Sequence, residues 1–177
     1  MKRVFRNKSV PRTFLGKWRS IEFEMIFNSS ATLQEFVTFV EDNGYDRFVT
    51  IKLDGSIAPK YNNPDEQDRE IVVSYPTGKE KIVKDICKFW KGRAYVNKSC
   101  GTHVHFDMRG VKRDRVERYG RRLSYAVPAL KQIIPKSRRE NNFCYAPIND
   151  IDGDDRYSFV NMLAYHDHNT IEVRGHS

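Results

Sequence analysis

The chain has 177 residues, a length expected for one domain with a sizeable core, and 39% of them are hydrophobic and 31% charged. No apolar run is long enough to cross a membrane, and the basic N-terminus lacks the apolar segment of a secretory signal. Three cysteines without paired spacing predict free thiols in a reducing cytoplasm. The net charge of +8 fits either nucleic acid or anionic small molecules, and the lack of an aromatic RNA-binding motif disfavours nucleic acid.

The pattern of apolar residues and turn formers predicts a basic lead-in over residues 1–19 and a folded domain over residues 20–177. The predicted elements are, in chain order, strands over 20–28 and 45–53, with a helix over 31–43 between them, a loop over 58–68, a strand from Glu70, a helix ending at Lys91, a strand over 99–107, a helix over 112–130, and strands over 158–165 and 170–174. These elements predict an α+β fold, in which an antiparallel sheet of five or six strands carries helices on one face and a polar site on the other.

Local signals fix several of these boundaries. Ser29 or Ser30 is a suitable N-cap for the first helix, and Gly44 a suitable stop. Thr77 and Glu80 have the spacing of a capping box. One face of the long helix is predicted to be core, formed by Val116, Tyr119, Leu123, Ala126, Val127 and Leu130. Pro128 is expected to kink or end that helix. Residues 166–169 are expected to be a hairpin turn between the last two strands.

Two histidines in the strand over 99–107 are the first candidates for function. Successive side chains of a strand point to opposite faces, so His103 and His105 share one face, while Val104 and Phe106 share the other. Asp107 lies on the histidine face and is expected to orient an imidazole. The alternative is a pair of buried histidines with a structural role.

Two further strands carry acidic residues in the same alternating pattern. Glu22 and Glu24 share one face of the first strand, and Glu172 and Arg174 share one face of the last strand. Carboxylates side by side on a mostly buried surface repel each other and lose hydration, so a cation is expected to compensate them. The sequence therefore predicts that these strands lie in one sheet and that glutamate and histidine side chains bind Mg²⁺ or Mn²⁺.

The order of these motifs resembles the amidoligase family, whose members are carboxylate–amine ligases related to glutamine synthetase and glutamate–cysteine ligase. The resemblance spans roughly residues 20–176 and rests on Glu-x-Glu at 22–24, Cys-Gly-x-His-Val-His at 100–105, Ile-Glu-x-Arg at 171–174, and weaker matches at 54–57, 70–76, 137–144 and 156–161. It implies a glutamine-synthetase-like catalytic domain. Members usually continue beyond the last motif, so the end at Ser177 predicts a fragment, a shortened member or an inactive one.

The resemblance also implies a reaction and roles for individual residues. ATP and Mg²⁺ would convert a carboxylate of an amino acid, peptide or protein into an acyl phosphate, which an amine attacks. Glu22, His103 and Glu172 would hold one metal, and Glu24 and Glu70 a second. His105 would contact nucleotide phosphate, while Arg174, with Arg138 or Arg139, would neutralise the transferring phosphoryl group. Glu22→Gln or Glu172→Gln is then expected to abolish ATP turnover with little loss of fold.

Other predictions concern partners and rival functions. No membrane partner is expected, and a homo-oligomer is consistent with sites built at subunit interfaces. The rival enzyme is a Zn²⁺ hydrolase that uses the His-x-His pair near Cys100. The non-enzymatic rival is a basic nucleic-acid-binding protein. Tightly bound Zn²⁺, or salt-sensitive DNA binding without ATP hydrolysis, would favour these rivals.

Overall fold

A computed structural model describes residues 18–59, 63–134, 139, 146–153 and 156–175. This part of the chain forms two compact units, which are described separately. Residues 21–101 belong to the first unit, and residues 18–20 and 102–175 belong to the second. Most of the predicted lead-in therefore lies outside the described residues.

The first unit combines β-strands with two α-helices. Its elements are β1 (Trp18–Phe27, of which residues 18–20 belong to the second unit), α1 (Ser30–Asp42), β2 (Val49–Lys52), β3 (Gln67–Pro76), α2 (Lys81–Trp90) and β4 (Ala94–Tyr95). Strand β3 lies between β2 and β1, and β4 pairs with the end of β1. The β2–β3 and β1–β4 pairs are both antiparallel.

Aromatic side chains hold both helices against one face of β1. The ring centroids of Phe27 and Phe36 are 5.5 Å apart, and those of Phe23 and Trp90 are 5.1 Å apart. Such pairs add to the free energy gained by burying the rings. Because Phe23 and Phe27 occupy this face, Glu22 and Glu24 project from the opposite one.

The predicted start and stop of α1 are confirmed. The Ser29 hydroxyl accepts from the Thr32 amide at 3.1 Å, and the Thr32 hydroxyl accepts from the Ser29 amide at 3.0 Å. Gly44 has a φ of +65°, a conformation that favours glycine. The capping box predicted for α2 is wrong: Glu80 is itself the N-cap, makes no side-chain cap hydrogen bond, and accepts from the Gly78 amide at 3.2 Å.

The second unit places four strands beside a long helix. Its elements are β5 (Thr102–Asp107), α3 (Arg113–Ile133), β6 (Ala146–Ile148), β7 (Ser158–Asn161), α4 (Ala164–His168) and β8 (Thr170–Gly175). The strand order is β5-β8-β7-β6, with the first two neighbouring pairs antiparallel and β6–β7 parallel. The core of this unit joins α3 residues Val116 and Val127 to strand residues Val160 and Ile171.

Helix α3 departs from the sequence prediction in two respects. It continues through Pro128 to Ile133 as one helix of 21 residues. Tyr119 and Ala126 were expected in the core but are exposed. Gly120 is buried, and a Cβ atom there would overlap the side chain of Met162, so the absence of a side chain allows α3 to approach β7 closely.

The connection between the last two strands also differs from the prediction. The expected hairpin turn is instead the short helix α4, and β7 already ends at Asn161. The chain leaves α4 through Asn169, which has a φ of +54° in the left-handed region. His166 and His168 are exposed, as expected for this connection.

The fold class is α+β with mostly antiparallel strand pairing, as predicted. The described residues contain eight strands rather than the predicted five or six, and the β6–β7 pair is parallel. The relation to the catalytic domain of glutamine synthetase stays a prediction. Among the described residues, no helix is both long and apolar enough to span a membrane.

Candidate active site

The alternation of β5 brings the two histidines to one face, as predicted, and this face is the more buried one. His103, His105 and Asp107 are buried, whereas Val104 and Phe106 are only half-buried. Polar groups removed from water need hydrogen-bond partners, because each unsatisfied group costs free energy. The partners of these residues therefore define the site.

Glu172 is the centre of a buried polar network in the second unit. Its Oε1 atom lies 2.8 Å from Arg174 Nη1 and 3.2 Å from His103 Nδ1. Its Oε2 atom accepts from Asn161 Nδ2 at 2.6 Å. The side chains of Glu172 and Arg174 are only 6% and 7% exposed, so each charge compensates the other away from bulk water.

Two asparagines connect this carboxylate to the backbone at the end of β7. Asn149 Nδ2 lies 3.1 Å from Asn161 Oδ1, and Asn149 Oδ1 accepts from the Met162 amide at 2.7 Å. Asn161 Oδ1 also accepts from the Leu163 amide at 3.1 Å. Sequence reasoning included Asn161 only as part of a motif and missed Asn149, whose contact depends on β6 lying beside β7.

Arg174 also contacts an aromatic ring. Its guanidinium carbon lies 5.9 Å from the centroid of Tyr157, within the range of a cation–π interaction. Arg156 approaches the same ring at 5.6 Å. The predicted phosphoryl-binding arginine is thus held by Glu172 and by Tyr157, which limits the orientations that its guanidinium can adopt.

His105 and Asp107 have separate partners. His105 Nδ1 lies 2.9 Å from the hydroxyl of Thr170, and His105 lies opposite Glu172 in the register of β5 and β8. Asp107 was expected to orient an imidazole, but both of its oxygens accept from Arg109 at 2.7 Å. This carboxylate holds the pKa of Arg109 above its ordinary value.

The acidic residues predicted in the first unit differ in burial and partners. Glu24 is buried, and its amide donates to the Gly101 carbonyl at 3.0 Å, which ties β1 to the segment before the histidine strand. Glu22 is half-buried on the same face of β1. Glu70 pairs with Lys52, its register partner on β2, at 2.6 Å. A metal ion at Glu70 would have to compete with this ammonium group.

The remaining candidates have structural contacts or fall outside the described residues. Arg138 lies outside them. Arg139 donates to the carbonyls of Ile134 and Gln132 at 3.1 and 3.0 Å, so it satisfies acceptors at the end of α3. The thiol of Cys100 accepts from the Asn97 amide at 3.4 Å and packs with Ile26, in the manner of a buried core group.

A cleft of about 600 Å³ lies beside α3 in the second unit. Its lining includes Arg113, Glu117, Arg121, Asn149 and Asp152. Asp152 pairs with Arg113 and with His166, and mainly through the hydrogen bond from Arg113 its pKa lies below the ordinary value. One end of the asparagine pair is therefore next to this cleft.

Comparison with known proteins identifies the family. A family profile described as "Putative amidoligase enzyme" matches residues 14–150, which contain the Glu-x-Glu and His-x-His motifs and Glu70. Glu172 and Arg174 follow the matched residues, and their connection to the site is the contact that Glu172 makes with His103. No curated protein and no solved structure matches the chain. Because the match covers more than half of its length, the chain belongs to the amidoligase family.

Proposed function

We propose that this protein is an ATP-dependent carboxylate–amine ligase that activates its carboxylate substrate as an acyl phosphate in the presence of Mg²⁺. The family match supports a ligase. The buried contacts among His103, Glu172 and Arg174 are the observation on which we base the proposed use of ATP and Mg²⁺. A buried carboxylate with a guanidinium and an imidazole offers groups for a cation and for a phosphate in one place.

The chemistry of the donor set fits a divalent cation. An ionised carboxylate has about four lone-pair positions, and Glu172 uses three for Asn161, His103 and Arg174. Counting the contacts among the described residues, one position is left for a metal ion, and oxygen with imidazole nitrogen suits Mg²⁺ or Mn²⁺. In the proposal, Glu22 completes this set with His103 and Glu172, and Glu24 and Glu70 bind a second ion.

The ion would supply positive charge that draws electrons from the phosphoryl group of ATP. Arg174 would bind the transferring phosphoryl group, because a guanidinium has five N–H donors and can engage a carboxylate and a phosphate together. His105 would contact nucleotide phosphate, and Arg138 or Arg139 would assist. The burial of Glu172 and Arg174 would strengthen these interactions by excluding water.

The reaction that follows explains why ATP is needed. A carboxylate resists attack by an amine, because oxide is a poor leaving group. Transfer of the γ-phosphoryl group to a carboxylate oxygen breaks the bond to ADP and creates phosphate as the leaving group. The amine nitrogen then forms the bond to the carbonyl carbon, phosphate departs, and the amine loses a proton. The substrates proposed are an amino acid, peptide or protein carboxylate and an amine.

The proposed setting is a reducing compartment such as the cytoplasm, where the free thiols of Cys87 and Cys100 would persist. A homo-oligomer remains part of the proposal. Neither rival function is favoured, since the family match points to a ligase. The Zn²⁺ hydrolase is further weakened by the hydrogen bonds between Cys100 and Asn97, which give the thiol a structural role.

The test is phosphate release from ATP with a panel of carboxylates and amines, combined with mass spectrometry of the amide product. Product formation should require ATP, Mg²⁺ and both substrates. Glu22→Gln should lower the rate at least about 100-fold, as expected when a ligand to a catalytic ion is lost. Glu41→Gln, on the exposed face of α1, is the matched control and should keep full activity. Product formation without ATP, or full activity of Glu22→Gln, would contradict the proposal.

A further inference from the structure

We infer that the cleft beside α3 is a second small-molecule site, which binds a zwitterionic amino acid with an apolar side chain between Asp150 and Arg121. The volume of the cleft, about 600 Å³, is that of a small-ligand pocket. The inference goes beyond the proposed function, because it concerns a ligand other than ATP and the reacting carboxylate.

One wall of the cleft is a row of charged residues on α3. Arg113, Glu117 and Arg121 follow each other at intervals of four residues, so they lie one above the other on the same side of the helix. Glu117 accepts from Arg113 at 3.2 Å, and its other oxygen lies 3.7 Å from Arg121. This wall therefore has a guanidinium group at each end and a carboxylate between them.

A second wall is the turn that follows β6. The amide of Gly153 donates to the carbonyl of Asp150 at 3.1 Å, which closes the turn. Ile151, inside the turn, is buried in the core of the unit and anchors it. The turn thus places the carboxylates of Asp150 and Asp152 at the cleft.

The two walls are joined directly at the start of α3 but not further along it. Arg113 forms an ion pair with Asp152, whose other oxygen lies 3.1 Å from His166 Nε2. Arg121 lies about 12 Å further along the helix axis, at 1.5 Å per residue. Among the residues that the structure describes, Asp150 makes no ion pair, and Arg121 pairs with Glu117 alone. A carboxylate and a guanidinium of the same cleft are thus available to a ligand.

These two groups specify a ligand that carries both charges. A guanidinium binds a carboxylate through parallel N–H donors, and the carboxylate of Asp150 accepts from an ammonium group. An amino acid offers both groups on one carbon atom. The lining between the charged residues includes Ile148, Ile151 and Met162, of which the last is only 2% exposed. An apolar side chain of the ligand would be removed from water against these residues.

The cleft and the proposed reacting groups lie on different sides of the strands. Val116 of α3 belongs to one core cluster with Val160 and Ile171, so α3 lies against that face of β7 and β8. Side chains alternate along a strand, so the next residues, Asn161 and Glu172, project from the other face. An amino acid bound in the cleft is therefore a second ligand and not the carboxylate that reacts.

The test uses L-leucine and two analogues that each lack one charge. Leucinamide keeps the ammonium group without the carboxylate, and N-acetylleucine keeps the carboxylate without the ammonium group. Binding to the full chain is followed by NMR of the Asn149 side-chain amide and the Met162 methyl group, which both line the cleft. L-leucine should shift both signals until they saturate. Each analogue should bind at least about tenfold more weakly, as expected when a hydrogen bond between charged groups is lost.

Two variants assign the charges to residues. Asp150→Asn should weaken the binding of leucine and abolish its preference over N-acetylleucine. Arg121→Gln should weaken it as well and abolish the preference over leucinamide. The matched controls are Asp167→Asn and Arg118→Gln, at exposed positions outside the lining of the cleft, and both should keep the wild-type affinity and preferences.

Three outcomes would overturn the inference. They are the absence of a saturable shift with L-leucine, equal affinity of the wild type for the three probes, and preferences that the two cleft variants leave unchanged. The first two need no variant to fold. The proposed function is tested separately: if leucine binds in the cleft but ATP is not turned over, the amino-acid site stands and the ligase proposal fails, and ligase activity without leucine binding gives the reverse.

Discussion

His103 contacts the carboxylate of Glu172 although the two residues are not opposite each other. The register of β5 and β8 places His103 opposite Arg174, and Glu172 opposite His105. The 3.2 Å contact therefore runs diagonally across the strand pair, which is within reach of long side chains. Because Arg174 donates to the same oxygen of Glu172, the three side chains form one unit, and a change in any of them affects the other two.

The first prediction concerns the stability of this unit. Glu172→Gln should lower the free energy of unfolding by about 3 kcal/mol, because it leaves the buried Arg174 cation without its carboxylate. The structure thus changes the expectation from sequence that this substitution leaves the fold almost unaffected. Urea denaturation followed by circular dichroism measures the loss. The double variant Glu172→Gln/Arg174→Met removes both charges and should regain a large part of it; equal instability of the two variants would contradict the explanation.

A second prediction tests the close approach at Gly120. Gly120→Ala gains up to about 1 kcal/mol in helix propensity, but its Cβ would lie 2.7 Å from the Cε of buried Met162 and still closer to its sulfur. Overpacking of this kind costs about 1 to 3 kcal/mol, so we expect a net loss of about 1 kcal/mol. Thermal and urea unfolding would measure it.

Substitution of Met162 tests whether steric overlap with its side chain causes the loss of stability expected for Gly120→Ala. Met162→Ala alone should destabilise by about 2 to 3 kcal/mol through the cavity that it creates. In the Gly120→Ala background its cost should be smaller, since the truncated side chain also removes the overlap. Strict additivity of the two changes would show that Met162 does not restrict position 120.

The sequence predicted those parts of the fold that neighbouring residues decide. Ser29 and Gly44 bound α1 as expected, because caps act over one turn. Helical periodicity also placed Val116 and Val127 in the core. It failed for Tyr119, which lies beside the buried stripe rather than on it, because the position of the stripe depends on where α3 meets the strands.

In the candidate site, too, local sequence patterns predicted some residues, whereas others depend on how the strands pair. Strand alternation correctly grouped His103 with His105 and Glu172 with Arg174. It could not supply Asn149, because the hydrogen bonds from Asn149 to Asn161 and from Asn161 to Glu172 join residues 12 and 11 positions apart and depend on the pairing of β6, β7 and β8. Nor does a lone asparagine after a three-residue strand differ in sequence from an ordinary turn residue.

A third prediction concerns Lys52 and the proposed second metal ion. Its ammonium group lies 2.6 Å from Glu70 Oε1 and occupies a position that a cation would need. Lys52→Gln removes the positive charge and should raise the affinity of the Glu70 site for Mg²⁺ or Mn²⁺, by roughly the few-fold that an exposed ion pair of less than about 1 kcal/mol allows. Isothermal titration calorimetry measures this affinity, with a substitution at the exposed Lys84 of α2, Lys84→Gln, as the control. No change would indicate that Glu70 is only the cross-strand partner of Lys52.

A fourth prediction concerns the pH dependence around Tyr45. Its hydroxyl donates to Asp85 at 2.6 Å, and this hydrogen bond, with a smaller effect of burial, raises the pKa of Tyr45. The neutral phenol is therefore favoured in the folded state, so the contact stabilises the fold below the ordinary tyrosine pKa and is lost as the pH rises through the raised value. The pKa of Asp85 shifts in the opposite direction, because hydrogen bonds from Lys81 and Tyr45 lower it. The contribution of Asp85 to the stability of the fold is therefore lost as the pH falls through this lowered pKa.

Asp85→Asn should return the pKa of Tyr45 toward its ordinary value. The ionisation of tyrosine is followed by ultraviolet absorbance in the wild type and in Asp85→Asn. Subtracting the titration of the same protein with Tyr45→Phe leaves the signal of Tyr45 without that of the other eight tyrosines. A Tyr45 pKa that the Asp85→Asn substitution leaves unchanged would contradict the assigned cause.

The last prediction concerns Asn169, through which the chain enters β8. Its φ of +54° is a conformation that costs a residue with a Cβ atom about 1 to 2 kcal/mol, less for asparagine and nothing for glycine. Asn169→Gly should keep or slightly raise stability, whereas Asn169→Val should lower it by about 1 to 2 kcal/mol, because a β-branched residue fits this region poorly. Since Glu172 follows three residues later, Asn169→Val should also weaken Mn²⁺ binding while Asn169→Gly does not. Urea denaturation and calorimetry of the pair test both parts, and equal behaviour of the two variants would show that this backbone conformation is not needed to position β8.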